Sequence, residues 1–234
     1  MAYTEMKHLS IPEWNEGDRP REKLLARGAS QLTHAELLAI LLGSGSSKQS
    51  ALELAKIILA EAGNDLSALA KLPPTYLTKI KGVGDAKAIT IASALELGRR
   101  REEGQEAKKI QTVRSSHDVY QLFRPILMDL MHEEFWVLLL NRANRVMSKV
   151  MISKGGLAGT VADPKMIFHH ALLNQASAMI LVHNHPSGNL QPSQADRDIT
   201  KKLRNAGDFL DLPVLDHLIV TEAGFFSFAD EGII

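Results

Sequence analysis

The sequence has no cysteine and no excess of charge of either sign. Its 234 residues include 27 Lys and Arg against 27 Asp and Glu, so the formal net charge is zero. The absence of cysteine excludes disulfide scaffolds, thiol nucleophiles and thiolate metal sites. A balanced charge gives no global reason to expect binding to nucleic acid or to a membrane, so any such case must be local. A metal site here would have to use histidine and carboxylate ligands, which suit zinc or a similar divalent ion.

Long apolar runs are missing as well. No window approaches the roughly 18 apolar residues of a membrane span, and the first twenty residues contain no apolar stretch of signal-peptide length. We therefore expect a cytoplasmic protein with no membrane partner. Apolar residues make up 45% of the sequence, an ordinary share for a globular protein that buries a core.

The first part of the chain has the pattern of a small all-α domain. Residues 1–101 contain short helical segments, and Thr33 with Glu36 has the spacing of a capping box ahead of one of them. Residues 102–111 are mostly charged, contain a glycine and show no apolar periodicity. We predict that they form a linker.

Strands and helices alternate in the second part, residues 112–234. A short apolar run at 135–140, a turn and a second run at 145–152 predict a hairpin. Further strands are predicted at 178–182 and 214–220, with helices between them. This alternation predicts an α/β or α+β domain around a mixed sheet.

The most informative segment is MILVHNHPSGNLQPSQAD, residues 179–196. His183 and His185 lie two residues apart at the end of a predicted strand, so both imidazoles point to one face. Asp196 lies in the first turn of the next predicted helix. Two imidazoles and one carboxylate leave a fourth tetrahedral position for water, as in a catalytic site with one zinc ion. Alternatively, each histidine is structural and Ser193 with Asp196 is only a capping box.

The full string His-x-His-x7-Ser-x2-Asp resembles the JAMM motif of the MPN metalloprotease superfamily. Several segments are similar to the RadC family. They are HNHPSGNLQPSQAD, LDHLIV at 215–220, and PREKLL, HAELLAILL and KIKGVG earlier in the chain. This resemblance implies a JAMM/MPN-like α/β domain preceded by a small helix-hairpin-helix domain. It also implies a zinc-dependent hydrolase that cleaves an amide bond, peptide or isopeptide, in a peptide or protein substrate.

The resemblance further implies a catalytic glutamate on a strand beside the metal, which takes a proton from the attacking water and passes it to the leaving amine. Glu133 and Glu134 are both candidates, but adjacent strand residues point to opposite faces. Relatives that read Glu-His-Phe here align with Glu133, which we prefer. By the same resemblance Ser193 helps to hold the oxyanion, or is simply a helix N-cap. Asp216 and His217 either orient a ligand or form a buried polar pair.

A second motif lies in the helical part. Lys81, Gly82, Gly84 and Lys87 belong to a segment that resembles a helix-hairpin-helix, in which glycines permit a tight turn and backbone N–H groups hold a phosphate oxygen. We expect non-specific, salt-sensitive DNA contact there. The structural alternative is an αα-hairpin whose glycines only allow close packing.

These motifs leave three functional hypotheses. The first is the zinc hydrolase. The second is a DNA-associated accessory or repair protein with a vestigial or non-peptidase metal site. The third, a scaffold that has lost its ligands, is disfavoured by the complete ligand set. No insertion of the kind that grips ubiquitin is found between Glu133 and His183, so ubiquitin-like specificity is not expected.

Overall fold

The chain divides into two compact units, with the division between Leu97 and Gly98. The structure, a computed structural model, describes residues 15, 19–46, 49–155 and 162–234. The start of the predicted helical domain, residues 1–14, lies outside the described residues. Among the described residues no helix has both the length and the apolar character needed to cross a membrane.

The first unit is helical, as predicted. Its helices are α1 (Pro20–Arg27), α2 (His34–Leu42), α3 (Ala51–Glu61), α4 (Leu66–Lys71), α5 (Pro74–Leu77) and the start of α6 (Asp85–Lys109), with a short 3-10 turn at Ala29–Gln31. The predicted capping box at the start of α2 is present, since Thr33 and Glu36 each bind the other's backbone N–H. The core contains the fully buried Leu54 and Ile58 of α3.

Most of the segment predicted to be a linker is helical. We expected the helix to end near Arg101, but α6 continues to Lys109. Arg, Glu, Gln, Ala and Lys are strong helix formers, so the segment needs no apolar periodicity to be helical. Tertiary contacts add to this, because Glu103 forms an ion pair with Lys149 at 3.0 Å and Arg99 donates to the carbonyl of Pro125.

The second unit is built around a mixed five-stranded sheet, in agreement with the prediction. The elements are α7 (Ser116–Leu127), β1 (Glu134–Leu140), β2 (Val146–Lys154), α8 (Pro164–Leu173), β3 (Ala178–Asn184), α9 (Gln194–Phe209), β4 (Val214–Thr221) and β5 (Gly224–Ser227). The strand order is β2-β1-β3-β4-β5. The β3–β4 pair is parallel and the other neighbours are antiparallel, so β1 and β2 form the predicted hairpin.

The sheet carries a separate apolar core on each face. On one face α7 packs against alternate strand residues such as Leu138 and Ile180. On the other face the core includes Phe135 and Leu181 together with residues of α8 and α9. Because His183 pairs with Phe135 in the β1–β3 register, its side chain lies on the same face as α9. The fold therefore brings the end of β3 beside the first turn of α9.

Candidate metal centre

The three predicted ligands converge. The side chains of His183, His185 and Asp196 each offer a ligand atom, and these atoms lie within 4.8 Å of one another. The Nε2 atoms of the two histidines are 2.9 Å apart. Asp196 Oδ1 lies 3.3 Å from Nε2 of His183, and Oδ2 lies 3.7 Å from Nε2 of His185. Residues from β3, from the position just after it and from α9 thus form one cluster that fits a metal site.

The hydrogen bonds around His185 fix its tautomer. Its Nδ1 lies 2.6 Å from the backbone oxygen of Asn189. A carbonyl oxygen only accepts, so Nδ1 carries the hydrogen and donates it. In the neutral ring, Nε2 then carries a lone pair. That lone pair faces the cluster and is available to a metal ion.

A longer chain of hydrogen bonds fixes the tautomer of His183. Thr200 Oγ1 lies 2.5 Å from the backbone oxygen of Asp196, so this hydroxyl donates to that oxygen. It then accepts from Nδ1 of His217 at 2.6 Å. Nε2 of His217 is left with a lone pair and accepts from Nδ1 of His183 at 2.8 Å. Nε2 of His183 therefore also presents a lone pair to the cluster.

Burial keeps both of these imidazoles neutral. Burial lowers the pKa of His183 to about 4, although Asp196 opposes this shift and His185 adds to it. His217 is fully buried, and its burial, with the proximity of His183 and His185, holds its pKa well below the usual range. Neutral imidazoles are the form that binds metals.

The donor set therefore matches a cation such as zinc. Two lone pairs that face each other at 2.9 Å cannot form a hydrogen bond, and they repel unless a cation lies between them. A carboxylate beside them supplies an oxygen ligand of the kind zinc accepts. The three residues would hold a single ion, which leaves one tetrahedral position for a water or a substrate oxygen.

Ser193 is the N-cap of α9, and its hydroxyl is directed at the carboxylate of Asp196. Its Oγ donates to Oδ2 at 2.6 Å and accepts from the backbone N–H of Asp196 at 3.2 Å. Oδ2 also accepts from the backbone N–H of Ser193 at 2.7 Å. The capping box is therefore present and is compatible with the ligand interpretation, because the same bonds that start the helix orient the carboxylate. A role for Ser193 at the oxyanion stays a prediction.

The two candidate glutamates differ in their surroundings. Glu134 is buried, and its carboxylate accepts from the indole of Trp136 at 3.0 Å and lies 3.0 Å from Nε2 of His132. Trp136 packs in the core on the α7 face. Glu133 immediately precedes β1, and continued strand alternation would direct its side chain to the other face, which Phe135 shares with His183. This arrangement favours Glu133 as the base, and its catalytic role stays a prediction.

Similarity to known proteins agrees with this architecture. Residues 113–233, more than half of the chain, match the family model described as the RadC-like JAB domain. The chain belongs to this family. Residues 11–89 match the model described as UPF0758 N-terminal. The RadC-like JAB domain places the second unit in the MPN/JAMM superfamily, as the motif predicted.

Several relatives are similar to this chain over nearly its whole length. A UPF0758 protein of Flavobacterium johnsoniae is 51% identical over 229 residues, which cover 98% of this chain and 99% of the relative. UPF0758 proteins of Porphyromonas gingivalis and Salinibacter ruber are 45% and 42% identical. These alignments cover 97% and 98% of this chain and the whole of each relative. The similarity to UPF0758 proteins thus covers both units of the chain.

Asn184, between the two histidines of the RadC-like JAB domain, is a residue that motif analysis missed. Its side-chain oxygen accepts from the backbone N–H of Glu134 at 2.8 Å, and its Nδ2 donates to the backbone oxygen of His132 at 2.9 Å. The amide therefore holds the backbone on both sides of Glu133. Since Asn184 is flanked by His183 and His185, this clamp fixes the glutamate segment relative to the ligands.

Asp216 and His217 lie on opposite faces of β4 and contact different parts of the domain. Asp216 accepts from the backbone N–H groups of His217 and Ala229 and from the hydroxyl of Ser227, at 2.6–2.9 Å. It thus holds the end of β5 to β4, which matches the buried polar alternative. His217 contacts His183 directly, which is the contact that the ligand-orienting alternative requires.

The segment predicted to contact DNA, in the unit before the RadC-like JAB domain, is partly occupied by internal contacts. Gly82 has a φ of 97°, as the predicted tight turn requires, and an added Cβ would lie 3.1 Å from that of Ser46. Nζ of Lys87 donates to the backbone oxygens of Gly45 and Gly82, at 2.7 and 3.0 Å. These contacts favour a structural role for Gly82 and Lys87. Lys81 and Gly84 are exposed.

DNA contact stays a prediction, and Lys81 offers its test. We expect Lys81→Glu to weaken binding of a 25-base-pair duplex and to reduce the dependence of affinity on salt, because one phosphate contact is lost. Fluorescence anisotropy over a series of NaCl concentrations measures both. Lys165→Glu, in the other unit, is the control for net charge. Absence of binding at low salt, or equal losses in the two variants, would remove the prediction.

Proposed function

We propose that the protein is a zinc-dependent hydrolase of amide bonds, with His183, His185 and Asp196 as the metal ligands. The observation that carries the proposal is the hydrogen-bonding of the cluster, which leaves the Nε2 lone pairs of both histidines directed toward each other and toward the carboxylate. Bound zinc would polarise a carbonyl oxygen and lower the pKa of a water molecule. Membership of the MPN/JAMM superfamily supports the same reaction class.

In this proposal, each side chain has a defined task. Glu133 takes the proton of the attacking water and later delivers it to the leaving amine. Asn184 keeps the backbone on both sides of Glu133 in register with the ligands. Ser193 orients the carboxylate of Asp196, and its hydroxyl would have to turn away from Oδ2 to donate to an oxyanion.

Metal analysis is the first test. We expect about one zinc ion per chain in protein purified without chelators, because the three ligands suit a four-coordinate site. His183→Ala should lose the bound zinc, since two ligands remain. His169→Ala is a matched control, because His169 is exposed on α8. Inductively coupled plasma mass spectrometry gives the metal content. Wild-type protein that stays free of zinc even after dialysis against it would refute the proposal.

Hydrolysis is the second test. The zinc-loaded protein is incubated with a library of blocked peptides and lysine-linked isopeptides, and new amino groups are identified by mass spectrometry. We expect cleavage by the loaded protein and none after treatment with a chelator. A zinc-loaded protein that cleaves no member of either set would contradict amide hydrolysis while leaving metal binding intact.

A further inference from the structure

A buried threonine and a buried imidazole outside the ligand set connect two of the proposed ligands. Thr200 lies one turn after Asp196 in α9 and donates to its backbone oxygen. His217 lies on β4, is fully buried and forms hydrogen bonds with both Thr200 and His183. The bonds form a continuous path from the main chain of one ligand residue to the ring of another.

We propose that Thr200 and His217 are positioning residues that fix the tautomer and the ring orientation of His183 for metal binding. The proposal rests on the proposed function, since it takes His183 as a ligand. Thr200 sets the direction of the path, because the carbonyl of Asp196 only accepts and so forces the hydroxyl to accept from His217. His217 must then accept from Nδ1 of His183, and Nε2 of His183 is left without a hydrogen.

Aromatic packing holds both rings in the plane that these bonds need. The ring of Phe228 stacks on His217 with centroids 4.9 Å apart and an interplanar angle of 19°. The ring of Phe135 stacks on His183 with an angle of 11° and a centroid distance of 5.9 Å. These contacts disfavour rotation of either imidazole toward another partner. With the ring orientations set, the tautomers remain to be determined. The hydrogen bond from His217 to Thr200 determines them.

Loss of the threonine hydroxyl should therefore reverse the path. In Thr200→Val, a hydrogen on Nδ1 of His217 would face a methyl group and lose its acceptor, which is costly in a buried position. The hydrogen then moves to Nε2 of His217, which donates to Nδ1 of His183. His183 is forced to carry its own hydrogen on Nε2, the atom that faces the metal. Valine has a methyl group of similar size in place of the hydroxyl, so the packing is kept.

Nitrogen NMR on metal-free protein measures the tautomer directly. Long-range ¹H–¹⁵N spectra of the imidazoles should show His183 with its hydrogen on Nδ1 in the wild type and in Thr200→Ser, which keeps the hydroxyl. In Thr200→Val the hydrogen should be found on Nε2. A purely structural role for the hydroxyl predicts the same tautomer in all three proteins. His183 with its hydrogen on Nδ1 in Thr200→Val would overturn the proposal.

Zinc affinity gives the second readout. Competition with a chromophoric chelator should show about 10- to 100-fold weaker binding in Thr200→Val, as is usual when a group behind a ligand is removed, and wild-type affinity in Thr200→Ser. His217→Gln, whose amide oxygen can accept from His183, should bind more tightly than His217→Phe. Equal affinities for the valine, serine and wild-type proteins would refute the positioning role. Failure of the wild type to bind zinc would instead refute the proposed function.

Discussion

Glu133→Gln should abolish hydrolysis while leaving the metal site filled. Glutamine cannot take a proton from the attacking water, and loss of a general base costs about 10²- to 10⁴-fold in rate. The metal ligands are untouched, so zinc content and KM should stay near the wild-type values while kcat falls. Steady-state kinetics on a peptide that the wild type cleaves, together with metal analysis, would check this.

Glu134→Gln is the matched control for this experiment. A glutamine there still accepts from the indole of Trp136, and its amide faces His132, so the buried contacts on the α7 face are kept. We expect activity close to wild type. The reverse outcome, an inactive Glu134→Gln beside an active Glu133→Gln, would show that the adjacent residue is the base.

Asp216→Ala should cause a large loss of stability. It removes the common acceptor of two backbone N–H groups and one hydroxyl, all in a buried environment. Buried polar groups left without partners cost about 1–3 kcal/mol each, so we expect the free energy of unfolding to fall by about 3 kcal/mol or more. Urea unfolding followed by circular dichroism measures the change.

Asp216→Asn should behave very differently. Its oxygen still accepts from both N–H groups, and its amide can donate to Ser227, so the network survives. Burial raises the pKa of Asp216 above its usual 3.8, although three hydrogen bonds oppose the shift. The protonated form is thus favoured in the folded state, and the associated stability is lost as pH rises through the folded pKa. The asparagine does not titrate.

The stability of Asp216→Asn relative to wild type should therefore increase as the pH rises from below 3.8 to neutrality. Unfolding curves at several pH values would measure the difference. A constant difference, or one that moves toward the wild type, would contradict the assigned direction of the pKa shift. Asp208→Asn, at an exposed position of α9, is a control for general charge effects.

The ligand set could be predicted from sequence because its geometry is local. His183 and His185 share a face through strand periodicity, and Asp196 is brought back by the start of the next helix. The alternation of strands and helices likewise gave the mixed sheet. Strand alternation indicated only that one of Glu133 and Glu134 faces the ligands, and the preference for Glu133 came from the resemblance to the RadC family. The contacts that hold Glu134 on the α7 face required the structure.

Longer-range contacts were beyond sequence analysis. The partners of Asn184 lie 50 and 52 positions away in the chain, and Thr200 contacts His217 only through the register of α9 on β4. Nothing in the spacing of these residues reveals the contacts. The end of α6 was missed for a different reason: apolar periodicity was used as the signal for helix, and this segment is helical through intrinsic propensity and ion pairs.

A metal ion in this site would restrict the loop between β3 and α9. The proposed ligands His185 and Asp196 flank the segment 186–195, so a bound ion would cross-link its two ends and reduce the freedom of the chain between them. Exposed loop residues such as Ser187 and Asn189 are ordinary targets for proteases. Bound metal should therefore slow limited proteolysis in this loop. The rate of cleavage measures metal occupancy without any knowledge of the substrate.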